Sequence, residues 1–393
     1  MSLRDFVGNS RTVALMRRMG SRGRFPSSWL ISGPHRIGKR TLALEWAKVL
    51  TCEDSKETEE GLDCCDRCRS CRRISADRPS YEQRHPSVLL VDGLMAAFWS
   101  EGEKQRPVDL AEAGQLKPKD SLGVDSVRMI QEFAVQASPW SWKVIIVDDA
   151  ERLTPEGSAA LLKVLEEPPE KTLFFLVSSN PWAIAPTVRS RCFPVRMTLV
   201  SKGEIAQALR QRGLGKDDAL LLASLARGRV GWVFSQIKDP RWKTRLKDWS
   251  ERVAAICQLE LWDIFRFAER WVGEEGEESL ADEESIGKRR ALEQRLQGFA
   301  LFFRDMLCRR WGADDLVVNP FWSHRTIDEG WSEAKLADAL FFVSRIARQV
   351  RAPWNVNPIL ALEILGAFWA RYGGNSPNSK SSQFQTANKE GLQ

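Results

Sequence analysis

Trp29-Leu-Ile-Ser-Gly33-Pro-His-Arg-Ile-Gly38-Lys39-Arg40-Thr41 runs from a short apolar segment, through a glycine-bearing turn, into the helically periodic run TLALEWAKVL that ends at Leu50. Strand, loop and helix follow from that pattern alone. Two more apolar runs lie downstream. Val144-Ile-Ile-Val147 ends in Asp148 and Asp149, and Leu173-Phe-Phe-Leu-Val177 ends in Ser-Ser-Asn180. The segment between them reads as a helix ending at Pro168-Pro169. Continuous apolar strands alternating with helices predict an α/β fold, a parallel sheet covered on both faces, with ligands at the C-terminal strand ends.

Within the turn, Gly33 to Lys39 supplies the first seven positions of G-x-x-x-x-G-K-[ST]. Glycines at Gly33 and Gly38 let backbone N–H groups close round phosphate, the helix start adds partial positive charge, and Lys39 reaches the outer phosphates. Arg40 stands where a Ser or Thr hydroxyl would coordinate Mg²⁺. Thr41 follows, but one residue turns a side chain about 100° round a helix. Nucleotide binding is therefore expected and efficient hydrolysis is not. A glycine-rich turn that binds nothing is the plainer alternative. Asp148, at a buried strand tip, suits water-mediated Mg²⁺ binding, with Asp149 beside it. A pair of helix-capping aspartates is the bland reading.

The chain has 393 residues, 43% hydrophobic and 28% charged, enough for two or three domains with sizeable cores. Its net charge of +6 permits a polyanionic partner without demanding one. The N-terminal sequence offers no continuous apolar h-region and no run is long enough to span a membrane, so a cytoplasmic location is expected. Five of the eight cysteines lie between Cys52 and Cys71, which points to a metal site. Cys65-x₂-Cys68-x₂-Cys71 with Cys52 upstream suits a tetrahedral structural Zn²⁺, and four sulfurs leave no open position for catalysis. Cys64 could replace Cys65. Free buried cysteines or a redox pair are the alternatives. Cys192, Cys257 and Cys308 are isolated and read as packed or surface thiols.

The segment from about 96 to 122 is polar and aperiodic and reads as an inserted surface loop. Beyond residue 198 amphipathic helices succeed one another. Glu274 to Glu284 carries seven carboxylates in eleven residues and reads as a solvated loop, and the last twenty residues as a disordered tail.

Ser158-Ala-Ala-Leu-Leu-Lys-Val-Leu-Glu-Glu-Pro-Pro169, then Phe174-Phe-Leu-Val-Ser-Ser-Asn180, then Thr187-Val-Arg-Ser-Arg-Cys192, closely resembles the ATPase block of the AAA+ clamp-loader family of bacterial DNA polymerase III. The similarity extends back through Val7-Gly8, the phosphate loop, the cysteine cluster and His85-Pro86, and forward to Asn355-Val-Asn-Pro-Ile-Leu-Ala-Leu-Glu363. The resemblance implies a RecA-like AAA+ core over 1–197, with a zinc module at 52–71 and the insertion near 96–122. A helical lid over 198–242 and a helical collar over 243–373 follow, with a tail at 374–393.

Loaders of this family open a ring-shaped clamp and close it on primed DNA, using ATP held between subunits. The resemblance implies gamma/tau and delta subunits, the clamp and primed DNA as partners, structural Zn²⁺, and ATP with Mg²⁺ as candidate ligands. It implies that Val7, Gly8, Gly33, Gly38, Lys39, Arg40, Thr41 and Asn180 line the nucleotide site. It makes Arg191 an arginine finger presented in trans to a neighbour's ATP, with a surface salt bridge as the plain alternative. Polymerase activity belongs to the holoenzyme.

Two members fit, the gamma/tau motor and the delta-prime stator. The motor would carry Ser or Thr at position 40, Glu at 149 and a sensor-2 arginine where Gly231 stands in Ala226-Arg-Gly228-Arg-Val-Gly231-Trp232. Asp149 is a methylene too short to act as the hydrolytic base. All three departures remove parts needed for hydrolysis in cis, while Arg191, needed only in trans, remains; the pattern favours a non-hydrolysing delta-prime-like stator. A third reading is a zinc-dependent nucleic-acid-binding protein working alone. The 16 tryptophans fit core packing better than base stacking.

Overall fold

A computed structural model of the chain describes residues 3–75, 85–102, 119, 121–138, 140–255, 264–266, 268, 288–322, 331–351 and 357–372. It divides into two compact units, Met1–Val233 and Phe234–Gln393. The acidic run Glu274 to Glu284 and the tail expected at 374–393 lie outside the described residues.

The first unit is built on β1 (Ser28–Ser32), β4 (Val88–Val91), β5 (Lys143–Val147), β6 (Thr172–Ser178) and β7 (Phe193–Arg196), all parallel, in the order β4-β5-β6-β1-β7. The apolar runs read as strands are strands, and they are continuous because both faces are buried. Val144 and Ile146 join the core on one face with Trp29, Ile31, Phe175 and Val177; Ile145 and Val147 join the other with Leu30, Phe174 and Leu176. Every residue of β6 is buried. Each such aromatic or aliphatic side chain contributes roughly 1.5–3 kcal/mol on leaving water.

Helices α1 (Ser10–Ser21), α2 (Lys39–Thr51) and α3 (Arg69–Ser75) are followed by α4 (Gly93–Gly102), α5 (Val124–Val135), α6 (Pro155–Glu166) and the short α7 (Pro186–Arg189). Helix α6 begins where a cap is expected, with Thr154 accepting from Gly157 N–H at 3.0 Å and Pro155 in the first turn. The Lys143 ammonium donates to the carbonyls of Phe133, Ala134 and Gln136, closing the C-terminal end of α5. α8 (Lys202–Gln211) opens with a full capping box between Ser201 and Glu204, and α9 (Lys216–Ala226) and α10 (Val230–Gln236) follow.

Two features depart from the sequence reading. Residues 96–102 are not loop. They form the second part of α4, with Ala96 and Ala97 buried, because the continuous apolar run over 94–99, ending in Ser100 and Glu101, is too short to show a helical period. Residues 103–118 of the expected insertion lie outside the described residues. Inside the cysteine region, a hairpin of β2 (Lys56–Thr58) and β3 (Gly61–Asp63) is added. Arg17, 2% exposed on α1, holds it by donating to Thr58 Oγ1 at 2.7 Å and pairing with Glu60 and Asp63.

The regular elements described in the second unit are all helices, chief among them α11 (Trp242–Ala255), α12 (Lys288–Arg310), α13 (Glu333–Arg351) and α14 (Pro358–Tyr372). Its core gathers Phe299, Phe302, Phe303, Trp322, Trp331 and Trp369, so these C-terminal tryptophans pack rather than stack on bases. Asp305, fully buried, accepts from Val318 N, Asn319 N and Trp322 Nε1 at 2.9–3.0 Å, which holds the turn after α12 against it. No helix is long and apolar enough to cross a membrane.

Candidate functional site

The phosphate loop joins β1 to α2 at the C-terminal edge of the sheet. Gly33 has φ 152°, and a Cβ there would lie 2.4 Å from the Met197 carbonyl, so only glycine lets the chain leave β1 at this angle. Gly38, with φ 96°, caps α2. Lys39 is buried, and its ammonium donates to Gly33 O and Pro34 O, both at 2.8 Å, and to Ser179 Oγ at 3.0 Å. The loop is closed on its own lysine, and an anion entering it would take Lys39 over from these oxygens.

Next to the loop, the parallel register pairs Val91 with Val147, so Asp92 and Asp148 emerge side by side from β4 and β5. Each commits Oδ1 to a backbone N–H: Asp92 accepts from Met95 N at 2.9 Å, Asp148 from Asp149 N at 3.1 Å. Each turns Oδ2 to the same atom, Arg40 Nη1, 3.5 Å from both. Asp149 does not join them. It sits in the left-handed region, φ 53°, with its carboxylate 3.8 Å from Arg152 Nη1. Thr41 is half-buried one residue further along α2. Mg²⁺ therefore does not fit the residues as they stand, because a guanidinium nitrogen already stands where the two carboxylates point.

A third element closes the crevice. Gly231 N donates to Arg36 O at 2.8 Å, and a Cβ on Gly231 would come to 2.9 Å of that same oxygen. The position expected to hold an arginine in a motor lies against the phosphate-loop backbone. Val7 and Gly8 precede α1, and Gly8 packs on Val200 where Asn9 ties the chain to Thr198 through Nδ2–O at 3.1 Å and N–Oδ1 at 2.8 Å. Asn180 lies two residues past the end of β6, at the N-cap position of the turn Pro181–Ala183, with no side-chain capping bond. Its neighbour Ser179 is the residue that reaches Lys39, and Glu151 Oε1 accepts from Ser179 N at 3.1 Å. Sequence reasoning missed Asp92 and Ser179. Asp92 follows an apolar strand just as Asp148 does, so the strand-end rule would have found it.

Arg191 lies apart from this crevice, just after α7. Its guanidinium donates to Thr187 O at 2.8 Å and pairs with Glu166 at the end of α6. Exposed pairs of this kind are worth roughly 0–1 kcal/mol.

At the other end of α2, the sulfurs of Cys52, Cys65, Cys68 and Cys71 all lie within 4.8 Å of one another. Cys52 is the C-cap of α2, Cys71 lies in α3, and the other two lie on the loop between β3 and α3. Backbone N–H groups point at the sulfurs: Cys65 N at Cys52 Sγ and Cys68 N at Cys65 Sγ, both 3.3 Å, and Cys71 N at Cys68 Sγ, 3.4 Å. Burial raises the Cys65 thiol, but the N–H groups of Arg67 and Cys68 together with the Cys52 and Cys68 side chains bring it down to about 7. Burial pushes Cys52 up to about 11. Sulfurs at about 2.3 Å from a tetrahedral Zn²⁺ stand about 3.8 Å apart, so the donor set and its spacing fit that ion. Cys64 is outside the group, with its sulfur 3.7 Å from Asp66 Oδ1. Beneath the cluster, buried His85 contacts Ser70 Oγ at 3.0 Å, and Ser70 donates to Thr51 Oγ1 at 2.8 Å. Burial and then Arg73 push His85 down to about 4.

Residues 8–201 match the family model described as DNA polymerase III, delta subunit. The chain is 29% identical over 180 residues to the DNA polymerase III subunit delta' of Pseudomonas aeruginosa, covering 46% of this chain and 45% of that one. It is 29% identical over 224 residues to the subunit gamma/tau of Mycobacterium bovis, 56% of this chain and 33% of that one. To the subunit delta' of Escherichia coli it is 28% identical over 226 residues, 57% of this chain and 58% of that one. The chain thus spans less than two thirds of the length of each of these relatives.

Proposed function

We propose, from the match of residues 8–201 to the family described as DNA polymerase III, delta subunit, that this chain is a delta-prime-like stator of the DNA polymerase III clamp loader, which helps place the sliding clamp on primed DNA without hydrolysing ATP itself. Its partners are the gamma/tau and delta subunits, and through the assembly the clamp and DNA. In this reading residues 1–197 are the AAA+ core, 198–242 its lid and 243–373 the collar, in the cytoplasm. Arg191 is released from Glu166 to the phosphates of a neighbour's ATP, where an always-charged planar guanidinium stabilises the transferring group. Cys52, Cys65, Cys68 and Cys71 hold a structural Zn²⁺ that fixes the loop between α2 and α3; with four sulfur ligands it contributes folding energy and no chemistry.

The observation that carries the stator reading is Gly231 against Arg36 O. A sensor-2 arginine needs a Cα far enough from the phosphate loop to carry a side chain, and here the backbone itself makes the contact. Arg40 and Asp149 agree with it.

The test is steady-state ATP hydrolysis by the purified chain with Mg²⁺, alone and with clamp and primed DNA, followed by Arg191→Ala in the reconstituted loader. The chain alone is expected to show no turnover, and Arg191→Ala to lower the loader's turnover on the order of 10³-fold. Turnover by the isolated chain that Lys39→Ala abolishes would make it a motor instead.

A further inference from the structure

We infer that Arg40 is a built-in cation that fills the divalent-metal position of this phosphate site, so that any phosphate ligand of the loop is held by Lys39 and backbone N–H groups without a metal ion. This rests on the site described above and deepens the stator reading.

The geometry is that of a cation site with its cation supplied by the chain. Asp92 and Asp148 come from neighbouring strands, each has its carboxylate orientation fixed by a backbone N–H on Oδ1, and each presents Oδ2 to Arg40 Nη1 at 3.5 Å. Two carboxylates so close carry two negative charges, and leaving both uncompensated is costly. A divalent ion would neutralise both. Arg40 neutralises one and is tethered to the first turn of α2, so it is present at an effective concentration no dissolved ion matches. An entering Mg²⁺ would have to break both ion pairs, shed tightly held water and find octahedral oxygen ligands beside a displaced guanidinium. The arginine therefore excludes the metal rather than merely lacking the hydroxyl that would bind it.

Removing the guanidinium should uncover the site. The experiment is Mn²⁺ titration of the full-length chain, read by the electron paramagnetic resonance signal of free ion, for wild type, Asp148→Asn, Arg40→Ser, Arg40→Gln, and Arg40→Ser combined with Asp148→Asn. Wild type should show no Mn²⁺ binding that depends on Asp148. Arg40→Ser and Arg40→Gln should each bind at least ten-fold more tightly than wild type, and Asp148→Asn should abolish the gain. The two replacements guard against one of them failing to fold. The inference is overturned if wild type binds Mn²⁺ in a manner lost with Asp148→Asn, if neither replacement binds more tightly, or if the gain survives Asp148→Asn. ATP turnover by wild type with Mn²⁺ would sink the stator reading, whereas Asp148-dependent Mn²⁺ binding without turnover would sink only the role of Arg40.

Discussion

The two ends of helix α2 both gather groups that elsewhere surround a metal, and they differ in whether a side chain of the protein stands among those groups. At its N-terminal end, Asp92 and Asp148 converge on a point that Arg40 already occupies. At its C-terminal end, Cys52 and three partners converge with their own N–H donors. The helix field favours anions at the first end and a cation at the second. Convergence of donors is thus insufficient to identify a metal site; what matters is whether the protein has left the central position to an ion or filled it with a side chain.

The sharpest way to break the comparison is at the cysteine end. Cys71→Ser should lose one equivalent of zinc and destabilise the first unit by several kcal/mol, a fraction of the roughly 10–16 kcal/mol that structural zinc contributes in small fingers. Zinc content by mass spectrometry and a urea melt would check both. A wild-type chain without zinc would make the cluster a set of packed thiols, and unchanged stability after metal loss would take the ion out of the fold's support. A smaller effect is expected at the phosphate end from Gly231→Ala, whose Cβ meets Arg36 O at 2.9 Å. About 1–3 kcal/mol of overpacking is expected in a denaturant titration, and no loss of zinc, because the strain falls on the loop that Lys39 closes.

A third effect, confined to acid pH, concerns the support beneath the cysteines. Burial holds His85 down to about 4 in the folded chain, against about 6.5 for an ordinary histidine. The folded state then binds fewer protons than the unfolded state between those values, so stability is full above 6.5 and falls as the pH drops toward 4. Urea midpoints for wild type should fall across that window, and those of His85→Gln should fall less. Equal pH dependence in the two proteins would remove His85 from the account.

Most of the fold was legible because it is written in local pattern. The apolar runs at 144–147 and 173–177, the glycine turn before Lys39 and the helix end at Pro168-Pro169 each declare themselves within a few residues, since strand and helix periods are properties of neighbouring positions. Residues 96–102 were misread for the same reason, as an apolar turn too short to show a period. The sequence also identified Arg40, Asp149 and Gly231 as departures from a hydrolytic pattern and the cysteines as a metal-like set. Tertiary structure alone decided what fills those departures. That Asp92 completes the pair around Arg40, that Ser179 rather than Asn180 reaches Lys39, that Gly231 rests on Arg36, and that Cys65 rather than Cys64 joins the cluster all depend on side chains from separate segments meeting in space. Spacing along a chain fixes which face a residue occupies, but the partner across the crevice is set by strand register and packing.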